Sequence, residues 1–247
     1  MTLLSNSGGL FWHAKALLRS NGAWADFRRR VKNFLSDWHD ALQNQEGHAM
    51  SGMILIGPSG GWCLPKIGFL ECFPELICID PDASAKVVFN RRHRASRCPA
   101  QARTWIHSTH QLVLPDLLKR HPHHAVLFCN VLGQLRYNEN RTIEEIEFEL
   151  NQLKFILQGR HWASFHDRIS GKGLIRWVVE REFLESRAIS NQNLVRRVAS
   201  TGEWLDHLTE KVLPSANHRR LICWPISQRR LHWIEAGWVR PEDQLND

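Results

Sequence analysis

The chain has 247 residues, 43% of them apolar and 23% charged. Those shares suit a soluble α/β domain with a sizeable core, and they exclude disordered and collagen-like classes. No run approaches the roughly 20 apolar residues of a membrane-spanning helix, and the N-terminus lacks the basic start and apolar centre of a secretory signal. A cytoplasmic protein with no membrane span is the default expectation.

Residues 10 to 42 read as two helices. Phe11, Ala14, Leu17 and Leu18 recur on one face, as do Phe27, Val31, Phe34, Leu35 and Trp38, and Asn21-Gly22 marks the break. The polar stretch Gln43 to Gly52 reads as a linker, which sets a helical extension over residues 1–50 before a main domain over 51–247. Met53 to Ile56 then forms a short buried strand ending at Gly57, followed by an expected helix from about Pro65 to Phe73. Leu76 to Ile79 is the second strand and ends at Asp80. Asp82 is placed to cap a helix from Ala83 to about His93.

Thr104 to Ile106 reads as a third strand, Pro115 to Arg120 as a short helix, and Ala125 to Cys129 as a fourth strand running into Asn130 and Gly133. Thr142 and Glu145 have capping-box spacing ahead of an apolar stripe ending near Leu157. Trp162 to Phe165 is a fifth strand, leading into His166 and Asp167. Helices are expected over Leu174 to Val198 and Glu203 to Leu213, and two closing runs, Arg220–Trp224 and Leu231–Ile234, read as an antiparallel hairpin. The resulting fold class is α/β: a doubly wound, mostly parallel sheet with a C-terminal antiparallel hairpin and an N-terminal helical extension.

The glycine loop after the first strand, GPSGG, decides between ligands. A triphosphate loop needs a second glycine and a lysine where Trp62 and Cys63 stand, so triphosphate hydrolysis is not expected. A dinucleotide loop needs glycines where Ser59 and Trp62 stand, although the acidic residue it requires is present as Asp80. A third arrangement fits better: small residues at Gly57, Ser59 and Gly61, Gly60 between them, and an acidic end to the next strand. In this the chain resembles the class I S-adenosylmethionine-dependent methyltransferase superfamily, over about Met53 to Asp167 and again in the closing hairpin. The resemblance implies S-adenosylmethionine as cofactor, with Gly57, Ser59, Gly60 and Gly61 near its methionine part and Asp80 on its ribose. Asn130 would line the cofactor and substrate cleft. Leu55 stands where the family usually has an acidic residue, Ser59 replaces a glycine, and Asn130 to Gly133 is not the family's amino-methylating signature.

No residue names the methyl acceptor. His166 and Asp167 are the catalytic candidates, although neighbours on a strand point to opposite faces. No metal site is expected, since nothing completes a ligand set with His161, His166 and Asp167, and none of the six cysteines forms a CxxC pair. The cysteines read as reduced and buried. A net charge of +7, with clusters such as Arg28–Arg30 and Arg91–Arg94, permits RNA or another anionic acceptor. The function expected is methyl transfer to an unidentified acceptor. Two alternatives stay open: an NAD(P)-dependent oxidoreductase using Asp80 on a ribose, and a non-enzymatic binding protein that keeps the fold.

Overall fold

A computed structural model describes residues 9–44, 50–65, 68–94, 102–137, 141–198, 203–214 and 218–245. The chain divides into two compact units, Met1–Cys129 and Asn130–Asp247. The helices expected before residue 50 fall within the first unit.

In the first unit, α1 (Gly9–Ser20) and α2 (Ala25–Gln43) are separated by a turn at Asn21-Gly22. Helix α2 buries Phe27, Val31, Phe34, Leu35, Trp38 and Leu42, the stripe its sequence carries. The large indoles are core filler: Trp24, just before α2, and Trp38 within it are among the largest side chains fully withdrawn from water. The strands are β1 (Gly52–Ile56), β2 (Glu75–Ile79), β3 (Ala102–Ile106) and β4 (His124–Cys129). They lie in the order β3-β2-β1-β4, and β1 runs parallel to both β2 and β4. Every residue of β1 and β4 is buried, as a central parallel strand covered on both faces requires. The connections are α3 (Ala83–Arg92), capped by Asp82 accepting from Ser84 N–H at 2.9 Å, and α4 (His110–Arg120).

The helix expected from Pro65 to Phe73 is absent among the described residues there. Bends lead to a single 3-10 turn at Leu70–Cys72. Gly68 sits at φ +99, a conformation no helix contains, and Pro74 turns the preceding Phe73 to extended backbone.

The second unit opens with a 3-10 segment, Leu132–Tyr137, and α5 (Ile143–Ile156). Helix α5 starts on a complete capping box: Glu145 N–H donates to Thr142 Oγ1 at 3.2 Å, and Thr142 N–H to Glu145 Oε2 at 2.9 Å. Its sheet consists of β5 (Trp162–Lys172), β6 (Glu182–Glu185), β7 (Trp204–Asp206), β8 (Arg219–Ser227) and β9 (Arg230–Val239), with α6 (Asn191–Arg197) between β6 and β7. Strands β8 and β9 form the closing hairpin across Gln228-Arg229, β9 pairs antiparallel with β5, β6 pairs with β8, and β7 with β5. The β5–β9 ladder carries a bulge between Asp167 and Ile169.

Parts of two expected helices are strands here, while the end of the first is helical as α6. Glu182–Glu185 pairs with the exposed edge of β8, which buries Phe183 against Trp233 and Leu221. Residues 204–206 pair with β5, and the chain then turns through Leu208 at φ +62. In both segments strand partners far along the chain override local helical preference. The α/β class itself, parallel strands followed by an antiparallel C-terminal hairpin, is the one observed. No described helix is long and apolar enough to cross a membrane. The described cysteines are all free; Cys78, Cys129 and Cys223 are buried, Cys63 is half-buried and Cys72 exposed, against the expectation for that residue. Cys98 lies outside the described residues.

Candidate functional site: a stapled glycine loop and a buried histidine cluster

The first unit places the glycine loop at the carboxyl end of β1. Gly57 (φ +63), Ser59 (φ +51) and Gly61 (φ +66) all adopt left-handed backbone. For Ser59 that conformation is a local strain of the kind glycine avoids. A Cβ on Gly60 would come 2.6 Å from both Trp62 Nε1 and Val88 Cγ1, and one on Gly61 would strike the His93 ring.

Asp80, ending β2, staples the loop. Its Oδ2 accepts from Ser59 N–H at 2.8 Å and its Oδ1 from Asp82 N–H at 2.9 Å. Burial pushes this carboxyl up to about 6, the two amides pulling the other way and the Asp82 charge adding to the rise. A carboxylate has about four acceptor positions, so the staple leaves lone pairs for further donors.

Helix α1 closes over the same edge. Gly9 N–H donates to Asp82 Oδ2 at 2.6 Å, and His13 Nε2 stands 3.3 Å from that oxygen. Trp62 Nε1, which can only donate, reaches His13 Nδ1 at 2.9 Å. His13 is therefore the Nε2–H tautomer, in keeping with burial, which lowers its pKa despite Asp82. The indole of Trp62 also lies under the Arg92 guanidinium, 4.1 Å from its centroid. Gly61→Ala should cost about 2 kcal/mol, from left-handed backbone plus displacement of His93. Urea denaturation would reveal it; a variant as stable as the wild type would mean the loop is not held at this φ.

The second unit holds Asn130, His166 and Asp167. Asn130 (φ +55) donates its amide N–H to Phe165 O at 2.8 Å. Its side-chain Nδ2 reaches Asp167 Oδ2 at 3.4 Å, while its buried Oδ1 makes no hydrogen bond. Asp167 Oδ1 lies 2.6 Å from His232 Nδ1. Burial pushes the Asp167 carboxyl up, but His232, His207 and the Asn130 amide outweigh it and hold it below the usual carboxylate range. His207 Nδ1 donates to Gly133 O at 2.7 Å, and its Nε2 meets Ser170 Oγ at 3.0 Å.

His166 faces the other way. Its Nδ1 meets Ser164 Oγ at 2.8 Å, and its Nε2 stands 3.3 Å from Glu235 Oε2. Glu235 Oε1 accepts from Arg168 at 2.7 Å and from Arg219 at 3.0 Å. His166 and Asp167 thus serve two separate networks. Sequence reasoning missed His13, His207 and His232; a histidine inside the apolar run Leu231–Ile234 was the one available signal.

No family model matches the chain, and no curated protein matches it. Among solved structures it is similar to the N-methyltransferase NodS from Bradyrhizobium japonicum WM9, in complex with S-adenosyl-L-homocysteine, at 14% identity and a TM-score of 0.35, over 83% of this chain and 88% of that one. It is also similar to CalS10, an S-adenosylmethionine-bound amino pentose methyltransferase from Micromonospora echinaspora involved in calicheamicin biosynthesis. There the identity is 13% and the TM-score 0.35, over 93% of this chain and 84% of that one.

Proposed function

We propose that the protein is an S-adenosylmethionine-dependent methyltransferase whose cofactor sits on the Gly57–Gly61 loop. The carrying observation is Asp80, buried at the carboxyl end of β2 and bonded to the loop. In a sheet ordered β3-β2-β1-β4, ligands bind outside the carboxyl ends of the strands where the order reverses, next to β1. Asp80 would accept the ribose hydroxyls, and the small residues would admit the methionine part close to the backbone. Methyl transfer needs positioning above all, and a base only if the acceptor must lose a proton.

The same geometry counts against a nicotinamide dinucleotide. Among the described residues no α-helix starts directly after the loop, so no helix N-terminus is offered to a pyrophosphate. One observation favours a binding protein without turnover: the Trp62 indole is packed into the loop at 5% exposure. An anionic acceptor, RNA included, is supported by a cleft of about 470 Å³ in the first unit lined by Arg28, Arg29 and Lys32. The free cysteines favour the reducing cytoplasm as the place of action.

Calorimetric titration with S-adenosylhomocysteine tests the reading, with NAD as comparison and Asp80→Ala as control. Micromolar binding of the homocysteine nucleoside, lost in the variant, is expected; binding of NAD alone, or of neither, would sink it. Affinity should also fall as pH drops through about 6, by up to roughly tenfold per unit, because the neutral carboxyl is a poorer acceptor for the ribose. Stability should move the opposite way. The folded pKa lies above the ordinary 3.8, so this carboxyl's contribution is greatest below pH 3.8 and is lost as pH rises through about 6. A flat affinity between pH 5 and pH 7 would remove Asp80 from the site.

A further inference from the structure

We propose that Asp167, His207 and His232 form a binding site for a divalent transition-metal ion inside the second unit, with zinc as the ion of first choice. Their ligand atoms all lie within 4.8 Å of one another, and all three side chains are buried. Two imidazoles and one carboxylate are a donor set suited to zinc or iron, and they leave coordination positions open, as catalytic rather than structural sites do.

The surroundings are built like an outer shell. A carbonyl can only accept, so the bond from His207 Nδ1 to Gly133 O puts the proton on Nδ1 and the lone pair on Nε2. That lone pair now takes the Ser170 hydroxyl at 3.0 Å; Tyr137 OH, 3.5 Å from Ser170 Oγ, gives the hydroxyl another partner once an ion occupies Nε2. Asp167 is fixed through its main chain, whose carbonyl accepts from Thr209 Oγ1 at 2.7 Å. The bulge after Asp167 and the left-handed Leu208 after His207 are local irregularities at the two ligand-bearing segments.

A second observation points to a ligand independently. Asn130 is 8% exposed, its amide rests on Asp167, and its Oδ1 is buried without a donor. Such an orphan acceptor is costly, and a water bound to the ion would supply the missing proton. Loading requires the ligands to close in. Bonds of ~2.1 Å at tetrahedral angles hold ligands ~3.4 Å apart, so separations of up to 4.8 Å shorten by as much as about 1.4 Å, shared between the side chains. The 2.6 Å contact between Asp167 and His232 opens as the ion takes the Nδ1 lone pair of the neutral ring, whose proton then sits on Nε2.

The described residues contain a second group that could hold an ion, Glu75 with His121 and His124 in the first unit. There the two rings are packed together with centroids 4.6 Å apart, and His124 has both nitrogens engaged, by Ser51 and Glu75. The experiment must therefore separate the two. Chelator-stripped full-length protein would be titrated with Zn²⁺ against a chromophoric competitor, alongside Glu75→Gln, His121→Gln and His207→Gln. The expected result is tight uptake by the wild type, retained in Glu75→Gln and His121→Gln and weakened about 100-fold or more in His207→Gln. Should His207→Gln not fold, retention in the two first-unit variants, with a Co²⁺ visible spectrum of nitrogen and oxygen ligation in Glu75→Gln, supports the second-unit site in its place. No uptake at micromolar zinc would overturn the assignment, and so would uptake abolished by Glu75→Gln or His121→Gln.

Discussion

Glu235→Gln should destabilise the protein by about 3–5 kcal/mol at neutral pH. Glu235 is fully buried and is the shared acceptor for Arg168 and Arg219, with His166 on its other oxygen. Glutamine keeps the shape but removes the charged carboxylate that accepts from both buried guanidinium groups. Arg168 also donates to the neutral Asn191 Oδ1 and Ile189 O, and a further carboxylate beside it, Glu210, stands 3.8 Å away and is partly exposed, so it offsets little of the loss; Arg219 also donates to Pro214 O. The pH dependence gives a signature that simple misfolding would lack. Burial works to raise the Glu235 pKa, but Arg168, His166 and Arg219 pull it down to about 2. Its ordinary value is 4.5, so its stabilisation is complete above pH 4.5 and is lost as pH falls toward 2, on the order of 3 kcal/mol in all. The gap between wild type and variant in urea denaturation should thus be widest at pH 7 and shrink steadily by pH 3. A gap below about 1 kcal/mol at pH 7 would contradict a charge-bearing role.

Gly133→Ala should cost about 3 kcal/mol, at the upper end for overpacking. A Cβ there would stand 2.6 Å from Asp167 Cβ and 2.8 Å from Asp167 O. Neither atom is the end of a flexible side chain, so either the 3-10 segment or strand β5 must move. The movement also disturbs the carbonyl that fixes the His207 tautomer. Gly22→Ala is the matched control, since nothing lies within 4 Å of an added Cβ there. Thermal unfolding of both variants decides the matter: a Gly133→Ala transition no lower than that of Gly22→Ala would mean the turn is looser than these contacts require.

The parts of the fold legible in the sequence were those specified by neighbours along the chain. Continuous apolar runs marked β1, β2 and β4 because parallel strands are covered on both faces. The α2 stripe, the Thr142–Glu145 capping box and the two-residue link between β8 and β9 are likewise local signals. The segments at 182–185 and 204–206 carry no such mark, since they are strands only because β8 and β5 offer them an edge. The same reasoning divides the sites. Gly57 to Gly61 and Asp80 could be linked because a strand, a loop and the next strand form one contiguous unit. Asp167, His207 and His232 meet through the ladders of an antiparallel sheet, across separations that no spacing rule covers. Asp167 was visible as the end of a short strand, although β5 runs on to Lys172, and its partners were visible only as histidines.

The β5–β9 ladder bears on how the second unit comes into being during synthesis. Strand β5 emerges from the ribosome about 60 residues ahead of its partner β9, so its long backbone edge must wait for that partner. Both buried polar networks span that same ladder: His232 and Glu235 sit on the late strand, Asp167 and Arg168 on the early one. Until β9 arrives, Arg168 has no carboxylate from Glu235 and Asp167 no imidazole from His232. The nascent second unit is consequently most exposed to aggregation in the interval before its final hairpin is made.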